Sequence, residues 1–218
     1  MKTEISSKII ENAVEGLKKG SVIVYPTETA YALGCDATNA AAVRRVFKIK
    51  KRPLGKTLPL IAGSLAMVKR YCRLAGLEQK LAKKHWPGPL TLVLGIRNQE
   101  SGIREVAKGV VGQDKTVAIR VSGSKIARDL SHQLGRPIIS TSANLAGGEE
   151  CYSLDEVRQS LRLCHSEPSV ASPERSEGAS EESLLFIDGG RLKKIKPSTI
   201  VKIKNEKIEV LRQGAIEL

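Results

Sequence analysis

The sequence predicts an α/β or α+β fold in which helices flank a twisted mixed sheet. Segments with helical periodicity alternate with short apolar segments along the chain, which is typical of layered α/β domains. Hydrophobic residues make up 41% of the 218 residues, so the chain can bury a substantial core. At this length we expect a single domain over residues 1–218.

The predicted helices start at side chains that can cap free backbone N–H groups, and most stop at glycine or proline. They cover approximately residues 6–20, 38–50, 64–71, 77–86, 124–134 and 153–163. In the first helix, Ile10, Val14 and Leu17 share one face, as packing on a core requires. Ser153 and Glu156 have the spacing of a capping box at the start of the last helix.

The predicted strands are short apolar runs between these helices. They cover residues 22–25, 58–62, 90–96, 117–121, 137–141, 184–188, 199–204 and 207–211. Pro26 ends the first strand, and the residues from there to Gly34 are expected to form a polar turn. Asn205 and Glu206 form the turn between the last two strands.

Charge and composition narrow the function classes. The chain has 36 Lys and Arg against 23 Asp and Glu, a net charge of +13, which indicates a nucleic-acid, nucleotide or phosphate partner or a solvated basic surface. Aromatic residues are only 3%, which disfavours modules that stack single-stranded RNA bases. Four scattered cysteines without a C-x-x-C pair predict neither a zinc site nor a disulfide framework. Without an apolar span or a signal segment, we expect a soluble, cytoplasmic protein.

Residues 165–182 differ from the rest in composition. They hold five Glu, one Arg and many Ser, Pro, Ala and Gly residues, but few apolar side chains that could offset the entropy of ordering. We interpret this segment as a mobile surface insertion, and the alternative is a regulatory or docking segment.

Two polar clusters could bind an anion, although common nucleotide and hydrolase motifs are absent. Lys56 follows a glycine as in a P-loop, but the upstream glycine is missing and a helix, not a strand, precedes it. Lys50 and Arg52 lie where a helix ends, and such a pair suits a phosphate chain. Residues 140–144 carry hydroxyl and amide groups from a strand into a glycine turn. A solvated helix end and an ordinary turn are the alternatives.

Seven short motifs, taken in order, resemble one known family. They are Pro26-Thr-Glu-Thr-Ala-Tyr-Ala-Leu-Gly34, Lys50-Lys-Arg-Pro53, Trp86-Pro-Gly-Pro89, Val117-Ala-Ile-Arg120, Ser140-Thr-Ser-Ala-Asn144, Lys196-Pro-Ser-Thr199 and Arg212-Gln-Gly214. The series resembles the L-threonylcarbamoyladenylate synthase family, the proteins with a YrdC-like domain. The resemblance runs from about residue 8 to Gly214, apart from the insertion. Because the chain ends soon afterwards, it resembles the short, single-domain form.

The resemblance implies a deep, positively lined cleft and a nucleotidyltransferase activity. The implied reaction joins L-threonine, bicarbonate and ATP into threonylcarbamoyl-AMP and releases pyrophosphate. The product supplies the threonylcarbamoyl modification of adenosine 37 in tRNA, so tRNA and the downstream threonylcarbamoyl-transfer proteins are the expected partners. Mg²⁺ is expected to accompany ATP, but no carboxylate cluster marks a metal site held by the protein.

The resemblance also assigns roles to individual residues. It implies catalytic roles for Lys50, Arg52, Ser142 and Asn144. It implies ATP contacts for the same four residues and for Lys56, Thr116 and Arg212. It implies threonine contacts for Thr29, Arg120, Ser140 and Ser198. Since no general base is evident, positioning and electrostatics are expected to dominate catalysis.

Two other functions are compatible with the sequence. An RNA-binding module could use the same basic cleft for a nucleic-acid backbone, and a paralogue could act on another carbamoyl substrate. Arg120 and Ser198 favour an enzyme over the RNA-binding module, because an RNA groove does not need a carboxylate clamp.

Overall fold

The structure, a computed structural model, describes residues 6–53, 56–97, 105–161 and 184–218. The helices in these ranges are α1 (Ser7–Lys18), α2 (Ala40–Lys50), α3 (Leu65–Tyr71), α4 (Gly76–His85), α5 (Lys125–Leu134) and α6 (Leu154–Ser160). The strands are β1 (Val22–Pro26), β2 (Tyr31–Gly34), β3 (Leu60–Ile61), β4 (Leu90–Gly95), β5 (Thr116–Arg120), β6 (Ile138–Ile139), β7 (Thr141–Ser142), β8 (Leu184–Phe186), β9 (Thr199–Lys204) and β10 (Lys207–Arg212). The predicted insertion at 165–182 lies outside the described residues.

Side-chain caps fix the starts of five of the six described helices. The capping residues are Ser6, Asn39, Ser64, Ser124 and Ser153, each of which accepts a hydrogen bond from a backbone N–H in the first turn. Glu156 accepts from the backbone N–H of Tyr152 at 2.6 Å, one residue before the Ser153 cap that a capping box would use. Helix α2 ends at Lys50 because Lys51 takes a left-handed conformation and its N–H returns to the last turn.

The strands form two mixed sheets, so the predicted mixed α/β class is confirmed, although the strands do not make one continuous sheet. The smaller sheet has the order β7-β2-β1-β8, and the larger has the order β10-β9-β4-β5-β3-β6. Strand β1 is parallel to β8, and in the larger sheet the β3–β5 and β4–β9 pairs are parallel. The remaining pairs are antiparallel.

Strand β2 corrects the sequence prediction, which placed a polar turn up to Gly34. In the structure only residues 27–30 turn, and Tyr31 begins a strand that pairs antiparallel with β1. The turn is closed locally, since the Thr27 N–H and hydroxyl both donate to the Ala30 carbonyl, at 3.1 and 2.6 Å. The β1–β2 hairpin therefore places the polar turn at the end of two buried strands.

The larger sheet separates the hydrophobic core from a cavity. Leu92 and Ile119, which are paired in β4 and β5, are buried in the main core. Because side chains alternate along a strand, the next pair, Val93 and Ala118, faces the opposite way and lines the cavity. Within the described ranges, no helix has the length and apolarity to cross a membrane.

We expect Gly34→Ala to destabilise the fold. A Cβ at Gly34 would overlap the Ile139 carbonyl oxygen and lie 2.8 Å from the Tyr25 ring, whose hydroxyl donates to that same carbonyl at 3.0 Å. Forced repacking of this kind costs about 1–3 kcal/mol and should lower the melting temperature by several degrees. Gly95→Ala is the control, since its nearest neighbour would be Arg73 Cδ at 4.0 Å. Equal melting temperatures for the two variants would contradict this account.

Candidate active site

A cavity of about 390 Å³ lies between the two sheets. One wall is the β1–β2 hairpin with strand β7, and the other is the exposed face of β4, β5 and β9 with the end of β10. Seven of the predicted site residues line it: Thr29, Arg52, Arg120, Ser140, Ser142, Ser198 and Arg212. The structure thus brings most of the predicted site together from six separate parts of the chain.

Four predicted site residues do not line this cavity. Lys50 and Asn144 are both buried, Asn144 within the loop that follows β7 and Lys50 against that loop. The side chain of Lys56 is exposed to solvent, and only its backbone carbonyl contacts Arg52. Thr116 begins β5, four residues before Arg120, and its hydroxyl donates to Asp114 at 2.6 Å.

Lys50 fastens the 142–148 loop to the end of helix α2. Its ammonium donates to the Ser142 carbonyl at 2.5 Å, and to the carbonyl and side-chain oxygens of Asn144 at 2.7 and 3.0 Å. The Lys50 carbonyl in turn accepts from the N–H of Ala146 at 3.0 Å. Burial, together with the charge of Arg52, lowers the pKa of Lys50 to about 8. The three loop oxygens offset this cost of burial by solvating the ammonium.

Asn144 and Ser142 complete the same loop. The Asn144 amide donates to the carbonyls of Gly148 and Glu149, both at 2.7 Å, and its side-chain oxygen accepts from the Ser142 hydroxyl at 2.7 Å. The S-x-N pair and Lys50 therefore form one hydrogen-bonded unit. Of these three residues, only Ser142 lines the cavity, so the other two act on it through the loop.

Arg52 and Arg212 hold positive charge at fixed places in the cavity wall. Arg52 donates to the carbonyls of Lys56 and Thr57 at 3.2 and 2.9 Å. Arg212 donates to the Ser198 carbonyl at 2.7 and 3.1 Å and to the Ser198 hydroxyl at 3.0 Å. Burial lowers the pKa of both guanidinium groups, yet each stays charged because the ordinary pKa of arginine lies far above neutral pH. Neutral carbonyls orient these cations without cancelling their charge.

Arg120, by contrast, carries a partner that the sequence analysis missed. Its Nη1 donates to Glu28 Oε1 at 2.8 Å, and the Ser122 hydroxyl donates to the other oxygen of Glu28. Burial alone would raise the pKa of Glu28, but Arg120 and Ser122 together hold it below its usual range. One signal was available, since Glu28 is the only acidic residue between Glu15 and Asp36.

Carboxylates are scarce in this cavity. In the described part of the chain, Glu150 is the only acidic residue that lines it. The same ranges hold no group of three or more His, Cys, Asp or Glu side chains arranged to bind a metal ion. The cavity wall is therefore suited to bind anions directly through arginine and hydroxyl groups.

We expect Lys50→Met to loosen the 142–148 loop. Methionine fills a similar volume but leaves the loop carbonyls without their ammonium donor, and an unsatisfied buried acceptor costs about 1–3 kcal/mol. Amide exchange at Asn144, Ala146 and Gly148 should therefore speed up by about tenfold. Lys51→Met at the exposed neighbouring position is the control. Unchanged exchange at these three amides in Lys50→Met would show that the ammonium does not hold the loop.

Comparison with known proteins identifies relatives across nearly the whole chain. A family model for Sua5, YciO and YrdC, described as "Telomere recombination", matches residues 15–214. A threonylcarbamoyl-AMP synthase of Vibrio vulnificus is 33% identical over 208 residues, which cover 94% of this chain and 98% of that protein. One from Serratia proteamaculans is 38% identical over 157 residues, covering 71% of this chain and 80% of that protein.

Solved structures show the same architecture. E. coli YciO superimposes with a TM-score of 0.78 at 28% identity, covering 99% of this chain and 94% of that chain. P. abyssi Sua5 complexed with L-threonine gives a TM-score of 0.78 at 28% identity, covering 97% of this chain and 55% of that chain. This chain thus spans about half the length of the Sua5 chain. The family model and the synthase relatives confirm the resemblance drawn from the seven motifs, and the chain belongs to the Sua5/YciO/YrdC family.

Proposed function

We propose that this chain is a threonylcarbamoyl-AMP synthase, a nucleotidyltransferase that uses L-threonine, bicarbonate and ATP. The observation that carries the proposal is the convergence of Arg52, Arg120 and Arg212 with four of the predicted hydroxyl side chains on one cavity. The synthase names of relatives that are 33–40% identical support the same activity. The L-threonine complex of the P. abyssi Sua5 structure supports an amino-acid substrate.

The proposed reaction requires two bond-forming steps. The threonine amine attacks the carbon of bicarbonate and water is lost, which gives a carbamate. A carbamate oxygen then attacks the α-phosphorus of ATP, and the bond to the β-phosphate oxygen breaks to release pyrophosphate. Negative charge accumulates on the phosphate oxygens during the second step, so fixed cations around them lower the barrier. Holding three small substrates together supplies much of the remaining rate enhancement.

The two arginines without an acidic hydrogen-bond partner suit the nucleotide. Arg52 and Arg212 are held by carbonyl groups and retain a full positive charge for phosphate oxygens. Ser142 places a hydroxyl on the same cavity. Lys50 and Asn144 would support these contacts by holding the loop, and Lys56 and Thr116 would approach ATP from outside the present lining. Mg²⁺ would arrive with the triphosphate as part of the substrate.

A second group of side chains in the cavity suits L-threonine, and it adjoins the first because Arg212 donates to Ser198. Arg120 offers a guanidinium for the α-carboxylate, while Thr29, Ser140 and Ser198 supply hydroxyl groups for the remaining polar atoms. Thr91 shares a hydrogen bond of 2.9 Å with Ser198, which helps to fix that hydroxyl. The product would then pass, in the cytoplasm, to transfer proteins that modify tRNA.

The direct test is incubation with ATP, bicarbonate and single amino acids, with detection of pyrophosphate and of the adenylate. We expect pyrophosphate release only when both L-threonine and bicarbonate are present. Equal turnover without threonine, or formation of ADP alone, would refute the proposed activity. Omission of bicarbonate under CO₂-depleted conditions is the matched control.

We expect Arg52→Ala to lower kcat/KM for ATP while the fold stays intact. One charged contact to phosphate in a partly dry cavity is worth about 1.5–3 kcal/mol, or roughly tenfold or more in rate. Lys51→Ala removes a neighbouring exposed charge and serves as the control for a general electrostatic effect. Steady-state kinetics with varied ATP would make the measurement, and wild-type values in Arg52→Ala would show that Arg52 has no phosphate role.

We expect Arg120→Lys to raise the KM for threonine far more than the KM for ATP. Lysine keeps the charge but lacks the planar fork that binds a carboxylate through two N–H groups. Non-specific RNA affinity, measured by filter binding, should change little. If RNA binding collapses while the threonine dependence is untouched, the cavity serves a nucleic-acid backbone instead.

A further inference from the structure

The ion pair of Glu28 and Arg120 is built into the wall of the cavity. The side chain of Arg120 is 8% exposed and that of Glu28 is 19% exposed, so water screens their attraction only weakly. Arg120 lines the cavity, whereas Glu28 lies behind it. A carboxylate that does not reach the cavity must influence binding there through the guanidinium it contacts.

Glu28 is itself held at both carboxylate oxygens. Arg120 donates to one oxygen and the Ser122 hydroxyl donates to the other, and the nearby backbone amide of Gly123 also helps to lower the pKa of Glu28. Gly123 packs closely, since a Cβ there would lie 3.4 Å from Glu28 Cγ. The Ser122 carbonyl is in turn fixed by Arg128 at 2.6 Å. Glu28 therefore cannot turn away from Arg120 without breaking several hydrogen bonds.

This arrangement leaves most of the guanidinium free for a ligand. Of the side-chain donors of Arg120, only Nη1 has a hydrogen-bond acceptor among the described residues, and that acceptor is Glu28. An arginine has five N–H groups in one plane, so a second carboxylate can bind to another edge of the fork. Fixing the plane in advance also removes much of the entropy cost of ordering a long side chain.

The three arginines of the cavity differ in their charge partners for the same reason. Glu28 forms a direct ion pair with Arg120, while carbonyl groups hold Arg52 and Arg212, and Glu150 acts on Arg212 only through its charge, without a hydrogen bond. A neutral pair with free N–H groups suits a carboxylate of one negative charge, whereas a more highly charged phosphate gains more from uncompensated cations. The arginines of this cavity therefore differ in the net charge that they present to a ligand.

Building on the proposed synthase activity, we propose that Glu28 is a positioning and specificity residue for amino-acid binding in the cavity. It fixes the plane of Arg120 for the α-carboxylate of L-threonine. It also cancels enough positive charge for Arg120 to favour a single carboxylate over phosphate. Glu28 acts through Arg120 and does not touch the substrate.

The first experiment compares Glu28→Gln with wild type by steady-state kinetics. Glutamine keeps the size and one acceptor but removes the charge. We expect the KM for threonine to rise about tenfold, with a KM for ATP within about twofold and a smaller change in kcat. We also expect inorganic phosphate to become a competitive inhibitor against threonine in this variant. Glu15→Gln, at an exposed ion pair on α1, is the matched control and should behave as wild type.

Three results would overturn the proposal. The first is an unchanged or lowered KM for threonine in Glu28→Gln, and the second is an equal rise in its KM for ATP. The third is that inorganic phosphate inhibits Glu28→Gln no more than it inhibits wild type. A lowered KM would show that Glu28 competes with the substrate for Arg120. Loss of folding alone would produce none of the expected inhibition pattern. If wild type itself lacks threonine-dependent pyrophosphate release, the proposed synthase activity fails, and not the role of Glu28 within it.

A second variant keeps the test informative if Glu28→Gln does not fold. Ser122→Ala leaves the ion pair in place and removes the hydroxyl that donates to the second oxygen of Glu28 and accepts from the Ser124 N–H at 3.2 Å. We expect a folded protein with a lowered melting temperature, because both groups lose a buried partner, and a rise of about threefold in the KM for threonine. The double variant Glu28→Gln/Arg120→Lys should have a KM for threonine no higher than Arg120→Lys alone. Additive effects in that double variant, or a wild-type KM in Ser122→Ala, would contradict the proposal.

Discussion

The hydrogen bonds of the buried Lys50 ammonium hold the candidate site together. They join the end of α2 to the loop after β7, and that loop also contacts β2, because Tyr31 donates to the Cys151 carbonyl at 2.8 Å and Ala143 donates to the Tyr31 carbonyl at 2.9 Å. A helix end, a hairpin and a glycine turn are thereby fixed relative to one another. The Lys50 ammonium can stay buried and charged because each of its three N–H groups donates to an oxygen.

The three arginines of the cavity also differ in their hydrogen-bond partners, and the partner of a cation decides what else that cation can bind. Carbonyl oxygens orient Arg52 and Arg212 and leave their charge available, whereas a carboxylate orients Arg120 and balances it. Under the proposed function, the partners of the three arginines would therefore distinguish phosphate binding from amino-acid binding within one cavity of about 390 Å³. This separation would matter for an enzyme that must bind a triphosphate and a small amino acid together.

Local signals predicted the helices well and the site only in part. Capping side chains such as Asn39 and Ser153 mark helix starts because their hydrogen bonds lie within one turn. Strand β2 was missed because its Ala32 and Leu33 follow a polar turn, and its pairing with β1 depends on long-range burial. The prediction that Lys50 lies at a helix end is confirmed. The direction of its side chain, however, depends on hydrogen bonds to a loop more than 90 residues later in the chain.

Glu28 shows why pairwise chemistry is hard to infer from a sequence. Its partners Arg120 and Ser122 lie 92 and 94 residues away, and nothing near Glu28 in the chain shows that a cation will face it. Glu28 and Arg120 belong to two different motifs, and nothing in either motif indicates that the two side chains meet. Only the meeting of the hairpin with β5 makes them one unit.

The strand that carries Arg212 has a consequence for how firmly one wall of the cavity is held. All six residues of β10 are exposed, and in the described chain the strand pairs only with β9, at the edge of the larger sheet. Such an edge strand opens at a lower free energy than the buried strands beside it. The part of the cavity wall that carries Arg212 can therefore fray from β9 while the core stays folded.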